Sequence, residues 1–540
     1  MPALAASAPN ASLDPNLTYM PADSTTAAAP SAESAYQAGL DCLSRGDLTA
    51  ACQAFETAIA MAPSMAQAHL DLGSSLRRQR DSRAAEAALR RARTLDPALR
   101  DATYSLAYLL HDAGRDSELA HVLLELAARE PADLTLQRQV AGLLMDFGCY
   151  EDAACVARRI AEAAPATGAW QRLGVCLLQL QRLSEAEEAL NLAVHCDPLA
   201  GSAYLLLSQT RRATAADRSR LKEQQAILDS RWIAGEARAC LHFALGNWFE
   251  DLGDYASAWA QFSAGNRLRR DAQPFDRPAW DDYFKRLPET TGIADPNPAA
   301  EQMPQPLFLI GFPGANPGPL ASLLAAHPAI SNVGVSAQVD GLAHACQQLA
   351  DKPYPECLAD IDESQLSGLA QGIRDGWPEK CTGSRWVLDE SPLNFLHIAL
   401  IVRVFPATRF IYQCRPAWDN CLSAYLWPFP HPHHGHVHEL HDLAYFYRQY
   451  LACMTRWQAD LPARTVLRYQ TNPGRSDSTA EAPEVWKFLD LESPGAHAAR
   501  PRALGSVVAA DLQHRDIPGR WRNYREHLAP AFEAAGLEPD

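Results

Sequence analysis

From about Ala32 onward, apolar and small residues recur at helical spacing in short segments, and prolines close them at Pro63, Pro97, Pro131, Pro165 and Pro198. The intervals between these prolines are 34, 34, 34 and 33 residues, so the pattern is a repeat. Gly39, Ala51, Phe55 and Ala58 precede Pro63 as Gly73, Ala85, Leu89 and Ala92 precede Pro97. Trp170, Leu173, Gly174, Ala186, Leu190 and Ala193 before Pro198 form the fullest copy. Each unit predicts two helices, which small residues allow to approach closely, and a proline that stops the second. A lone unit cannot bury its apolar face, so consecutive units must stack. Five units run to Leu199, a less regular one starts near Gly201, and a further helical pair spans Leu245 to Arg270 with its turn at Gly253-Asp254-Tyr255.

The pattern changes beyond a proline-rich stretch from Pro296 to Pro306. Leu307-Phe308-Leu309-Ile310 is a short apolar run ending at Gly311, and helical spacing resumes from Pro319 to Ala326, which reads as strand, loop and helix. Such a loop turns backbone N–H groups and a helix N-terminus toward anions. It lacks the Lys-Ser or Lys-Thr of a nucleoside-triphosphate P-loop, which speaks against that activity. Farther on, Leu440, Leu443, Phe446, Tyr447, Tyr450, Leu451 and Met454 fall at helical spacing between His438 and Trp457, a core helix rather than an aromatic binding box. The chain thus divides into an Ala/Pro/Ser-rich disordered tail (1–31), a repeat array (32–211), a helical linker holding the divergent pair (212–298) and an α/β domain (299–540).

Length and composition fit this division: 540 residues exceed what one hydrophobic core organises, and 47% hydrophobic with 21% charged residues is an ordinary globular balance. No apolar run approaches the ~18–20 residues that cross a bilayer, so membrane insertion is not expected. The formal net charge of −16 repels phosphate backbones, so a nucleic-acid partner is not expected either. The 13 cysteines are odd in number and include no Cys-x-x-Cys pair, which reads as reduced thiols. The tail has neither a basic start nor a continuous apolar stretch, so no secretory signal is read in it and a cytoplasmic protein is expected. His431, His433, His434, His436, His438 and His441 crowd one segment; such density suits zinc, nickel or copper, yet no cysteine pair accompanies it, and a solvated or pH-responsive loop without metal is the expectation.

The repeat period is that of the tetratricopeptide repeat, whose solenoids offer a concave groove; a protein or peptide partner is expected there, the alternative being a spacer or a dimer contact. The later motifs are Asp389-Glu390-Ser391-Pro392-Leu393-Asn394-Phe395-Leu396-His397, Phe405-Pro406-Ala407-Thr408-Arg409-Phe410-Ile411-Tyr412, Arg415, Asp419, Cys421-Leu422-Ser423 and Tyr425, then Leu467-Arg468-Tyr469 and Gly519-Arg520-Trp521-Arg522-Asn523-Tyr524. In this order, from about Gln302 to the C-terminus, they resemble the tetratricopeptide-linked bacterial sulfotransferases, which are similar to the tyrosylprotein sulfotransferases. The resemblance implies an α/β domain with a parallel sheet behind the α-helical solenoid, and 3′-phosphoadenosine 5′-phosphosulfate or 3′,5′-adenosine bisphosphate as ligand.

It further implies that Arg415 and, eight residues on, Ser423 grip the 3′-phosphate, the one as a permanently charged fork and the other as a directional hydroxyl. Gly314, Asn316 and Gly318 fall in the loop for the 5′-phosphosulfate, and Arg515 and Gly519 fall near the cofactor. Three departures stand against the family's chemistry. Where the family has Pro-Arg-Ser-Gly-Thr-Thr, this chain has Pro313-Gly314-Ala315-Asn316-Pro317-Gly318, without the cation and the hydroxyls, and with Pro317 and Pro319 unable to donate an N–H. The family's glutamate base falls at Val335, and its lysine in Asp-Lys-x-Pro falls at Glu390. Losing one positioned donor typically costs ~10²–10³ in rate, so a pseudoenzyme or interaction scaffold retaining the 3′-phosphate end is expected. The alternative is an active sulfotransferase on a protein tyrosine or a carbohydrate, with Glu390 as a relocated base and Arg385 or Arg515 supplying charge.

Overall fold

A computed structural model describes residues 31–230, 232–287, 304–315, 318–428, 432–470, 483–493 and 517–539. The tail before Ser31, Asn316, His431 and Arg515 lie outside the described residues. The chain forms two compact units, one up to Ser105 and one from Leu106.

In the first unit, α1 (Ala32–Ser44) pairs with α2 (Leu48–Met61), and α3 (Ala66–Arg78) with α4 (Ser82–Leu95). Asp47 and Asp81 start the second helix of each pair, their carboxylates accepting from Ala50 N at 2.9 Å and Ala84 N at 3.0 Å. The recurring glycines have a steric cause: a Cβ on Gly39 would lie 2.4 Å from the Phe55 ring, and one on Gly73 would lie 2.6 Å from Leu89 Cγ. Ala51, Cys52, Phe55, Leu72 and Ala88 form the buried core between these helices.

The second unit takes up the same construction. α5 (Arg100–Asp112), which holds the boundary at Ser105, and α6 (Asp116–Arg129), α7 (Leu134–Asp146), α8 (Tyr150–Ala163), α9 (Thr167–Gln179) and α10 (Leu183–Cys196) keep the alternation of 13- and 14-residue helices. α11 (Gly201–Leu207) is short and is followed by α12 (Arg218–Asp229). α13 (Gly235–Asp251) and α14 (Tyr255–Ala272) restore the repeat: a Cβ on Gly246 would lie 2.6 Å from the Phe262 ring, and Asp254 caps α14 by accepting from Ser257 N at 3.1 Å. The divergent pair is therefore packed as a repeat unit. α15 (Arg277–Arg286) leads on from it.

The α/β domain holds, among the described residues, a five-stranded sheet of β1 (Gln305–Ile310), β2 (Ile330–Gly334), β3 (Trp386–Asp389), β4 (Arg409–Cys414) and β5 (Val466–Gln470). The order is β2-β3-β1-β4-β5 and every pairing is parallel, with Leu307 opposite both Leu388 and Arg409. β1 is buried at every residue, as a central parallel strand must be. α16 (Gly318–Ala325), α17 (Gln338–Ala350), α18 (Glu363–Gly376), α19 (Ile398–Val404), α20 (Ala417–Leu426), α21 (Leu440–Asp460), α22 (Pro483–Phe488) and α23 (Arg525–Ala534) complete it. The chain fills one side of β1 with β2 and β3, then crosses to the other side for β4. That reversal falls between β1 and β4, and the crevice outside the C-terminal ends of two such strands is the usual ligand position in sheets of this kind.

One apolar cluster joins the sheet to the last repeat unit: Phe243, Ala258 and Phe262 belong to the same core as Phe308, Ile310, Phe410, Tyr450 and Trp457. α21 buries Leu443, Phe446, Tyr447, Tyr450 and Met454, in agreement with the core helix read from the sequence. The histidine segment departs from the solvated loop that was one of its two expectations. His436 is fully buried and stacks on Phe446 with centroids 3.9 Å apart, and His438 is 3% exposed with Nδ1 at 3.1 Å from Asn266 Oδ1 of α14. An aromatic face and a hydrogen bond offset the loss of hydration, so these two rings are packing groups rather than solvated ones. Among the described residues no set of His, Cys, Asp or Glu side chains is grouped to hold a metal ion, and no helix is long and apolar enough to cross a membrane.

Candidate functional site

β1 delivers the loop Gly311–Ala315 to the crevice. Gly314 has φ +89°, and a Cβ on it would fall 2.7 Å from Ala424 N and 3.0 Å from Asn420 O. Only glycine lets the loop lie this close on α20. Gln413 Nε2 donates to Ala315 O at 3.0 Å, which ties the loop to the end of β4. Arg415, which follows Cys414 at the end of β4, donates from Nη1 to Gly314 O at 2.9 Å. Ser423 is buried in α20, next to the Ala424 against which Gly314 packs. The structure thus brings Arg415, Gly314 and the turn carrying Ser423 together at the reversal of the sheet, with Gly318 opening α16.

The β2 and β3 side is different. Val335 follows β2 and is 71% exposed. Glu390 follows β3, where its N–H donates to Gly334 O at 2.9 Å and its Oε1 accepts from Asn332 Nδ2 at 2.5 Å. Burial pushes the Glu390 carboxyl above the usual range, the Asn332 hydrogen bond opposes this, and the charge of Asp389 adds to it. Asp389 is itself buried and raised by burial, with opposing hydrogen bonds from Ser336 Oγ at 2.5 Å, Ser391 N at 2.8 Å and Asn394 Nδ2 at 3.2 Å. Asp389 organises the turns after β2 and β3, and Glu390 stands beside it as an acid with heightened proton affinity.

Arg385 does not reach this edge. It precedes β3, so four strand residues at ~3.3 Å each hold its backbone ~13 Å from the C-terminal end, and its guanidinium meets Asp490 Oδ2 at 3.3 Å. Its suggested role as a charge donor is excluded by the direction of the strand. Gly519 has φ +74° and donates its N–H to Asp419 Oδ2 at 2.7 Å, while Trp521 N donates to Asp419 Oδ1 at 3.3 Å. Gly519 therefore lies at the first turn of α20, beside the Arg415 side of the crevice. Arg520 is buried in an ion pair with Glu250 of α13, whereas Arg522 is exposed and stacks over Trp521 at 5.0 Å. Gln413, Asn332 and Glu250 had no place in the sequence reading; each acts on a residue distant along the chain, and no local motif marks it.

Residues 306–494 match the sulfotransferase family model, and residues 36–98, 70–133 and 141–201 match the tetratricopeptide repeat model. The chain carries a sulfotransferase-family domain behind tetratricopeptide repeats. A protein of Aquifex aeolicus (strain VF5), described as uncharacterized, is 23% identical over 414 residues, which are 72% of this chain and 53% of that protein. The chain thus spans about half the length of this relative. Similar solved structures include the MamA protein (16% identity, 31% of this chain and 92% of that one, TM-score 0.25). A tetratricopeptide repeat protein from Parabacteroides merdae is similar at 14% identity over 46% of this chain and 96% of that one, with a TM-score of 0.26. The C-terminal part of a repeat protein from Cytophaga hutchinsonii gives 11% identity, 46% and 98% coverage and a TM-score of 0.31. In the sulfotransferase-family domain, the matched stretch contains Gly314, Glu390, Arg415 and Ser423, and Gly519 lies beyond it.

Proposed function

We propose that the sulfotransferase-family domain binds a 3′-phosphorylated adenosine nucleotide without transferring the sulfuryl group by the family's route. The repeats then serve to present the domain to a protein or peptide partner. The ligand is 3′-phosphoadenosine 5′-phosphosulfate or 3′,5′-adenosine bisphosphate. The carrying observation is the asymmetry of the crevice. On the β4 side, Arg415 and the Ser423 turn flank Gly314. On the β2 and β3 side stand an exposed Val335 and the acid Glu390. A guanidinium beside a helix start suits a phosphate dianion. Charge developing on a transferring sulfuryl group needs cations and donors aimed at it, and the loop from Gly311 to Ala315 offers neither a cation nor a side-chain hydroxyl.

Calorimetric titration with both nucleotides, in the wild type and in Arg415→Ala, tests this reading. Binding in the micromolar range that the substitution abolishes is the expected result, and no binding up to millimolar ligand refutes it. A second reading rests on the raised proton affinity of Glu390, which suits a relocated general base. It requires sulfuryl transfer from the donor to a tyrosine peptide or a carbohydrate, lost in Glu390→Gln; absence of turnover in the wild type excludes it.

A further inference from the structure

Glu250 stands at the end of α13, and Arg520 opens the 3-10 turn Arg520–Tyr524. Their side chains are 10% and 9% exposed and meet twice, Arg520 Nε at 2.6 Å from Glu250 Oε1 and Nη2 on Oε2. Removing one partner of such a buried, two-pronged pair leaves an uncompensated charge, so the pair holds its two elements in one register. The other side of the same turn holds Asp419, whose two oxygens accept from Gly519 N and Trp521 N. Asp419 lies in the first turn of α20, four residues after Arg415 and one helical turn before Ser423. The last repeat unit grips α20 at its far end as well. Asn266 Nδ2 donates to Tyr425 O at 2.8 Å, and Trp259 stacks on Tyr425 with centroids 5.1 Å apart.

We propose that Glu250 is a positioning residue for the Arg415–Ser423 site. It acts through Arg520, the Gly519–Trp521 amides and Asp419, so that the last repeat unit and the crevice respond as one mechanical element. The functional meaning rests on the nucleotide reading; the chain of contacts does not.

Amide hydrogen exchange on the full-length chain tests the contacts directly. In Glu250→Gln, exchange at Gly519, Trp521 and the residue 419–423 amides rises roughly tenfold, while β1 and β4 keep their protection. Arg277→Ala, which removes the α15–α21 ion pair of Arg277 with Asp442, leaves the residue 419–423 amides unchanged. Faster exchange in the 519–524 turn alone, with 419–423 unmoved, overturns the proposal. If Glu250→Gln fails to fold, Arg520→Lys keeps the charge, loses the second prong and is read by the same pattern. Nucleotide titration then adds a double-mutant cycle of Glu250→Gln with Asp419→Asn. Each single change weakens binding several-fold, and the pair together weakens it no more than the stronger single change; additive losses count against a shared path. A wild type that binds no nucleotide sinks the functional reading and leaves the exchange pattern to decide the positioning role.

Discussion

His438 makes the stability of the α/β domain depend on pH below neutrality. Burial, with Arg269 adding repulsion, pushes its imidazole down from the ordinary 6.5 to about 4. Asn266 Nδ2 donates to Tyr425 O, so Asn266 Oδ1 is the acceptor for His438, and the neutral ring carries its proton on Nδ1. The unfolded chain takes up a proton near pH 6.5 and the folded chain only near 4, so the unfolded state binds more protons between these values. The contribution is complete above about 6.5, declines as pH falls through the window, and is gone below about 4. A difference of about 2.5 pH units at 1.36 kcal/mol each gives about 3 kcal/mol. The assay is urea unfolding followed by tryptophan fluorescence at pH 7.5, 6 and 5, comparing wild type with His438→Gln, which keeps a hydrogen-bonding side chain and cannot titrate. The wild-type midpoint should fall more steeply with pH than that of the variant. Equal slopes would refute the assignment of this pH dependence to His438.

Three further outcomes can be measured. Gly246→Ala places a methyl 2.6 Å from the Phe262 ring and should cost about 1–3 kcal/mol by overpacking, seen as a lower thermal midpoint. Ser423→Ala should weaken 3′,5′-adenosine bisphosphate by the worth of one hydrogen bond to a charged group, about 1.5–3 kcal/mol in calorimetry; unchanged affinity would mean that the buried hydroxyl only caps local structure. Asp389→Asn keeps one oxygen to accept from Ser391 N and Asn394 Nδ2 but puts an amide N–H₂ where Oδ2 accepted from Ser336 Oγ; with the charge lost from all three bonds the domain should lose about 1–3 kcal/mol in urea titration.

The repeats were legible because their cause is local. A glycine against a large side chain in the following helix leaves a fixed interval in the sequence, and Gly246 with Phe262 repeats the spacing of Gly39 with Phe55 even where the other positions have drifted. The strand around Leu307 to Ile310 was legible for the same reason, since a fully buried parallel strand needs an unbroken apolar run. What escaped was set by distant partners. The histidine-rich segment reads as polar, yet His438 is fixed by Asn266 and His436 by Phe446, and neither partner leaves a mark near them. Arg520 stands in a motif of the sequence, but nothing near it marks its partner Glu250, 270 residues away. Arg385 shows the converse error: it was read as a charge supplied to the same site as Glu390, and the direction of β3 separates the two.

The shared core of Phe243, Ala258 and Phe262 with the sheet decides where this protein can be cut. A fragment beginning in the proline-rich stretch before β1 would strip α13 and α14 from Tyr425, Tyr524 and the Arg520 turn, leaving aromatic surface and a buried guanidinium open to water. Such a fragment should aggregate, whereas one that keeps α13 onward retains its covering. The last repeat unit thus belongs, in folding terms, to the domain that follows it, and shuffling whole repeat arrays onto other sulfotransferase-family domains would have to carry this seam along.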